Sequence, residues 1–430
     1  MRILFLTYES WPTHRADVTV LFGKYLRRHG IGTDIVADAA ECGGEVGPAW
    51  DGGAVFGCRR PRTRPAQHLA KLWLNVQRIV RADKAHHACI QVRDMSLSAL
   101  VALAAARVKG IPFVYWLSYL QSEGHIGRAR ARGPRAGMKY WYPLVEGLAG
   151  RFILYRIVLP RADHVFVQSE AMKARLAAAG VPASRMTPVP MGVDTEDSDA
   201  WLAPPAQAAA LAGRRTLVYL GLQDRERKPE LLLHMLAQVR LRVPNVVLVM
   251  AGDTADEDQR AWLRKEAVRL GVADHLVWTG WLSRRQAWAW VRAAELGLSP
   301  IPRGEIFDAS SPTKAVEYMA LSVPVVGNDS PDQKLVIEAS GAGICVPLDA
   351  ASFAEAVVSL LNDEQARRHM AARGPAWVRA TRSYAHLATT VAGVYRQVCG
   401  GQPEHSADPV GEGDACTIAA DTAREDAGVQ

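Results

Sequence analysis

Short apolar runs alternate with amphipathic stretches along most of the chain, and many of the runs end at a glycine or a polar residue. Ile3–Leu6 has the length and apolarity of a buried strand, and Thr19–His29 then carries Val20, Leu21, Tyr25 and Leu26 at helical spacing before Gly30. Thr33–Ala37 reads as the next strand. Cys89–Val92, Leu97–Lys109 with Gly110, and Pro112–Trp116 read as strand, helix and strand. His164–Gln168 is followed by Ser169, a suitable helix cap, and by a helix over Glu170–Ala179 that ends at Gly180. Strands alternating with helices in this way predict a parallel α/β sheet.

Glu196–Arg215, rich in Ala, Pro and Asp, reads as a linker with a short helix, and a second series follows it. Thr216–Leu220, Val246–Ala251 and His275–Thr279 are strands ending at Gly221, Gly252 and Gly280. Leu296–Ser299 and Pro324–Gly327 are two more strands. Between them fall helices over Glu230–Val239, Gln259–Leu270, Gln286–Ala294 and Pro312–Leu321. Helices over Ala351–Leu361, Glu364–Arg373 and Trp377 to about Val398 complete the pattern. The division expected is a Rossmann-like domain over 1–195, a second over 196–375, a helix over 376–398, and an acidic tail over 399–430 with too few large apolar residues to fold. Two such domains facing each other leave a cleft at the carboxyl ends of their strands, where doubly wound sheets bind ligands.

Composition narrows the class. At 49% hydrophobic and 22% charged residues the chain is an ordinary globular protein. The six cysteines show no CxxC spacing, which predicts neither zinc nor disulfides and fits a cytoplasmic setting. No leader-like segment is visible, and Leu144–Pro160, the longest apolar stretch, is broken by Glu146, Arg151 and Arg156. The net charge of +7 is unevenly spread: Arg59–Lys84 and His125–Arg161 each carry eight Lys/Arg against one acid, whereas the tail from Gly401 carries seven acids and only Arg424. In the second basic run Arg128, Arg130, Arg132, Arg135 and Lys139 interleave with Tyr140, Trp141 and Tyr142, ahead of the apolar Leu144–Leu159. That mixture over 128–142 predicts attraction to an anionic membrane surface, peripheral on the inner face of the plasma membrane. No nucleic-acid motif accompanies it.

The stretch Ser310–Asn328, SSPTKAVEYMALSVPVVGN, carries the most specific pattern, with LVMAGD, LGVADHLVWTGWLS and AAELGLSP before it in Val246–Pro300 and PVPMGVD at Pro188–Asp194. In these motifs the chain resembles the family-4-like glycosyltransferases of group 1 type over about Met1–Val398. The resemblance implies a GT-B fold: two facing Rossmann-like domains, a cleft between them, and a C-terminal crossover helix. It also implies a retaining, hexosyltransferase-type enzyme that uses a UDP- or GDP-sugar without metal or other cofactor. The acceptor expected is a glycan or lipid-linked molecule, in cell-surface polysaccharide or glycolipid synthesis. A front-face mechanism is implied, in which the departing phosphate helps deprotonate the acceptor hydroxyl.

A departing nucleoside diphosphate requires groups that stabilise growing negative charge. Behind Gly221 stand Arg225, Arg227 and Lys228, and the resemblance gives an arginine and Lys228 that role, with either arginine as the candidate. The helix from Pro312 offers backbone N–H groups and its positive dipole end, with Ser310, Ser311 and Lys314 beside it. Glu317 is expected, by resemblance, to accept hydrogen bonds from the ribose, and the base to lie along Gly280–Leu282 and Gly252–Thr254. The family commonly carries another Glu eight residues before this one; Ala309 stands there, with Asp308 and Glu305 as substitutes nearby. The loop Glu9–Val18 (ESWPTHRADV) lacks the family's glycines, and Trp116–Tyr119 lacks its histidine, which leaves His14 and His125 as N-domain candidates. Two alternatives remain open: a nucleotide-sugar epimerase of the same fold, and a non-catalytic nucleotide-sugar-binding or scaffold protein.

Overall fold

A computed structural model of the chain describes residues 1–13, 15–39, 50–57, 63–197 and 203–400. His14 and the acidic tail from 401 lie outside the described residues. The N-terminal half is one parallel sheet of β1 (Arg2–Trp11), β2 (Gly32–Ala39), β3 (Val55–Phe56), β4 (Cys89–Arg93), β5 (Phe113–Leu117), β6 (His164–Val167) and β7 (Met186–Pro188). Its strand order is β3-β2-β1-β4-β5-β6-β7. The second sheet contains β8 (Arg215–Leu220), β9 (Val246–Ala251), β10 (Leu276–Trp278), β11 (Leu296–Ser299), β12 (Val325–Asn328) and β13 (Gly343–Val346), ordered β10-β9-β8-β11-β12-β13. Each sheet therefore reverses direction once, between β1 and β4 and between β8 and β11. The carboxyl end of such a switch point is where a crevice opens.

Apolar side chains cover both faces of each sheet, which is why the strands read as continuous apolar runs. One face of the first sheet packs Leu4, Val92 and Tyr115 against Leu74, Ala102, Val158 and Leu176 from the helices there. The other face packs Phe5, Val114 and Phe166 against Phe22, Tyr25 and the last helix, Tyr384–Cys399. That helix contributes Tyr384, Leu387, Ala388, Val391, Ala392 and Tyr395 to the first half, so the chain crosses back.

The crossing differs from the sequence expectation. The helix read as starting at Trp377 begins far earlier and runs Glu364–Thr381 through Pro375, and the break falls at Arg382–Ser383. Ser383 caps the last helix by accepting from the His386 N–H, and Arg382 reaches back to Asp332 at 2.7 Å. Val193, in the inter-domain turn, bridges to Ser383, so the turn and the crossing are fastened together. The turn's Asp194 accepts from the Tyr25 hydroxyl at 2.6 Å and from Lys24 at 2.9 Å.

Candidate functional site

Three strand ends of the second half converge through their glycines. Gly252 lies so close to Gly221 that a Cβ on it would sit 2.3 Å from the Gly221 carbonyl oxygen, and Gly252 bridges to Gly280. At Gly221 φ is +135°, and a Cβ there would meet the Lys314 side chain at 2.9 Å. No other residue type fits either position without moving backbone or lysine. The glycines thus bring β8, β9 and β10 to one rim, and Lys314 onto it.

The helix Thr313–Ala320 starts at this rim, with Pro312 one position earlier than the sequence pattern places it, as N-cap. Lys314 is buried, with Nζ 4.9 Å from the Tyr219 ring centroid. Burial, and then the neighbouring Arg227 charge, lower its pKa to about 7 against the opposing pull of Glu317. One turn further in, Glu317 accepts from the Trp288 Nε1–H at 3.4 Å. Burial raises its carboxyl pKa, while Trp288, Arg284 and Lys314 oppose the shift.

The two arginines behind Gly221 separate. Arg225 is exposed and 3.6 Å from Asp256, facing solvent and the neighbouring loop. Arg227 is half-buried, close enough to Lys314 and Tyr219 to influence both. It also acts, with Arg128 and Glu226, on Tyr119 at the end of β5, whose pKa is raised chiefly by burial. Arg227 therefore stands between the two halves. Lys228 is exposed and held at φ +50°.

The serines and acids before the helix are already engaged. Ser310 Oγ donates to the Phe307 carbonyl at 2.7 Å. Ser311 is buried; its hydroxyl donates to Asp332 at 2.6 Å and accepts from the Met191 N–H at 3.0 Å. It fastens the segment before the Thr313–Ala320 helix to the inter-domain turn and to Arg382. Asp308 pairs with Arg303, and Glu305 pairs with Arg175 of the first half. Ala309 sits in the apolar cluster of the first half, its carbonyl accepting from Ser169 Oγ at 2.7 Å. The position where the family commonly carries a Glu thus serves as a contact between halves.

Across the cleft the switch point between β1 and β4 carries a charged cluster that sequence reasoning missed. Arg93, fully buried at the end of β4, donates to Asp17 at 2.7 Å and to Ser118 Oγ at 3.1 Å. Asp94, at φ +54°, accepts from the Ser118 N–H at 2.8 Å. Burial alone would raise the Asp17 pKa, but Arg93 and Arg15 outweigh it and hold the group at about 2. Glu9, at the end of β1, has its pKa raised by burial despite Arg15 at 3.5 Å. The signal was present: an Arg-Asp pair directly after the buried strand residues Cys89–Val92. Of the histidines read as candidates there, His125 does not join the cluster; its Nδ1 pairs with Glu146 Oε2 at 2.9 Å inside a helical hairpin.

The comparisons agree with this two-sided arrangement. A family model described as glycosyl transferases group 1 matches residues 203–377, and one described as a glycosyl transferase 4-like domain matches residues 16–192. A phosphatidyl-myo-inositol mannosyltransferase of Mycobacterium tuberculosis is 31% identical over 222 residues, 49% of this chain and 54% of the relative. The match thus spans about half the length of that relative. A GDP-mannose-dependent alpha-(1-6)-phosphatidylinositol monomannoside mannosyltransferase of the same organism is 26% identical over 411 residues, 92% of this chain and 98% of the relative. Among solved structures, Anabaena HepE in complex with UDP and glucose is 18% identical, covers 92% of this chain and 100% of its own, and has a TM-score of 0.66, a likeness of fold.

Proposed function

The chain belongs to the group 1 glycosyltransferases and has the GT-B fold, and from that premise we propose that it transfers a sugar, with retention at the anomeric carbon, from a GDP-sugar to a lipid-linked acceptor. GDP-mannose is the first donor to test, because the relative matched over nearly its whole length is named for it. The observation that carries this reading is the meeting of Lys314, Arg227 and the Thr313–Ala320 helix start at Gly221, with Glu317 a turn beyond.

In this reading the diphosphate lies against the helix N-terminus, where backbone N–H groups and the dipole favour an anion. Lys314 and Arg227 oppose the charge that grows as the sugar–phosphate bond breaks, and no metal takes part. Glu317 accepts from the ribose hydroxyls. The acceptor hydroxyl enters from the side of Glu9, Arg93 and Tyr119, and its proton passes to the departing phosphate oxygen. The sugar contact that a Glu at position 309 would supply is absent, so orientation falls to the strand-end groups of the first half. The basic run 128–142 draws the protein to the anionic surface that holds the acceptor.

Titration calorimetry with GDP-, UDP- and ADP-sugars tests the donor. Transfer to a phosphoinositide acceptor, with product configuration read by NMR, tests acceptor and stereochemistry. Tighter binding of UDP-sugars would overturn the donor assignment, and an inverted product the mechanism. Addition of EDTA should leave turnover unchanged.

A further inference from the structure

The helix Met138–Phe152 is built inside out. Its buried positions are Gly147 and Gly150, and a Cβ on Gly147 would sit 2.7 Å from the Ser122 carbonyl oxygen of the facing helix Gln121–Arg132. Its outward positions are Met138, Trp141, Tyr142, Val145, Leu148 and Phe152, at the three- and four-residue spacing of one helical face. Trp141 is 53% exposed, and Val145 and Phe152 are each 61% exposed. A second stripe lies in the same layer: Leu69, Trp73 and Val80 are exposed on the helix Arg64–Arg81. The helix Ser96–Lys109 packs between the two helices and exposes Leu97.

Cations frame these stripes. Arg128, Arg130, Arg132, Arg135, Lys139, Arg151 and Arg156 are all exposed around the first, and Arg81 and Lys84 close the second. A monomer rarely exposes apolar patches of this extent without a partner for them. A second copy of the chain fits poorly, because a two-fold contact would press the same arginines together. An anionic bilayer surface satisfies both chemistries, taking the aromatic and aliphatic face into its interface and the cations at its phosphates. No helix among the described residues is long and apolar enough to cross a membrane, so the helix would lie along the surface.

We propose that the first half docks on anionic phospholipid by inserting the outer face of Met138–Phe152, with Leu69 and Trp73 of Arg64–Arg81 as a second point of entry. This deepens the lipid-linked-acceptor reading and rests on it for what the docking serves. The same hairpin follows Tyr119, which faces Arg227, so docking would bring the cleft mouth to the membrane edge. It also replaces salt-sensitive attraction by the basic run alone with apolar insertion.

Two measurements test it on the full chain. Hydrogen–deuterium exchange of the unaltered protein with phosphatidylglycerol vesicles should slow in 138–152 and 64–81, with no such change with phosphatidylcholine. Sedimentation should show Trp141→Ser/Val145→Ser/Phe152→Ser lowering partition into phosphatidylglycerol vesicles by at least about tenfold, while the unaltered protein stays partly bound at about 1 M salt, where exposed charges are screened. Equal partition of the triple variant, full release by salt, or unchanged exchange would each overturn the proposal. So would a concentration-dependent dimer that the triple variant dissolves and that binds no vesicle. GDP affinity, read on the same samples, keeps the two readings apart. Lost vesicle binding with intact GDP binding removes only the docking proposal, and the converse removes only the donor assignment.

Discussion

Lys314 is the residue whose chemistry is most sensitive to its surroundings. Its pKa of about 7 means that the free protein is largely unprotonated there in mild alkali, whereas a diphosphate beside it favours the ammonium form. Binding above that pH must therefore take up a proton, and the Kd for GDP should rise between about pH 7.5 and 9, approaching tenfold per unit. Lys314→Arg, which stays charged, should flatten the profile; a flat profile in the unaltered protein would remove Lys314 from the diphosphate site. Stability runs the other way, because folding favours the neutral amine whereas the diphosphate favours the ammonium. Between about pH 7 and the ordinary lysine range the unfolded chain binds more protons than the folded one, so Lys314 makes stability rise with pH there. Glu317→Ala should weaken GDP-sugar binding by about 1.5–3 kcal/mol, the worth of hydrogen bonds to a charged group, as calorimetry would read. Arg227→Ala should cut kcat more than it raises KM, because it meets charge that grows in the transition state, whereas Arg225→Ala should change little. Lys314, Glu317 and the arginine pair were legible as candidates because the family resemblance draws attention to the strand end at Gly221 and to the start of the Thr313–Ala320 helix. The Arg93–Asp94 step at the end of β4 was also visible, but the Arg93 partner Asp17 was not, since it lies 76 positions away.

At the scale of elements, the long central strands were legible because they are buried on both faces, and β8, β9 and β11 fall within a residue of their expected starts. The short edge strands β3, β7 and β13 were missed: two to four residues carry too little pattern. The helix Met138–Phe152 was hidden in an apolar stretch suited to a core because its inner face is glycine and its outer face is not. The loop Glu305–Ser311 had the opposite difficulty. Its Ala309 looked like a missing catalytic contact, yet the residue is a packing contact that joins the halves through Ser169, with Arg175 and Glu305 paired beside it. Ala309→Glu should therefore fail to restore a sugar contact. It would press a carboxylate into an apolar cluster at a cost of a few kcal/mol, and a thermal melt should fall by roughly 5–10 °C. A variant with unchanged Tm and higher turnover would show that this loop swings free of the first half and can present a Glu to the donor.

The whole molecule depends on the chain returning to where it began. The two-sheet plan follows from alternation of strand and helix, and the strand orders follow from packing right-handed crossovers on both faces. The return could be expected only by resemblance, since nothing local in Tyr384–Cys399 says which half it covers. In the structure Tyr384, Leu387, Val391 and Tyr395 are fully or almost fully buried against β1, β4, β5 and β6. Burying four such side chains contributes on the order of 6–12 kcal/mol, comparable to the roughly 5–15 kcal/mol that holds a whole domain. Tyr395 also donates a hydrogen bond to Gln91 of β4, a polar side chain that this helix covers. Ending the chain after Arg382 should thus unfold or aggregate the first half, although most of its own sequence is intact. Ending it after Gly400 should leave fold and transfer activity nearly unchanged, because the acidic residues beyond have few large apolar side chains to contribute to a core. Soluble yield, a thermal melt and sugar transfer on the two truncations separate these outcomes. A stable, active protein ending at Arg382 would mean that the first sheet can cover its own face, and that the crossover helix is dispensable to the enzyme.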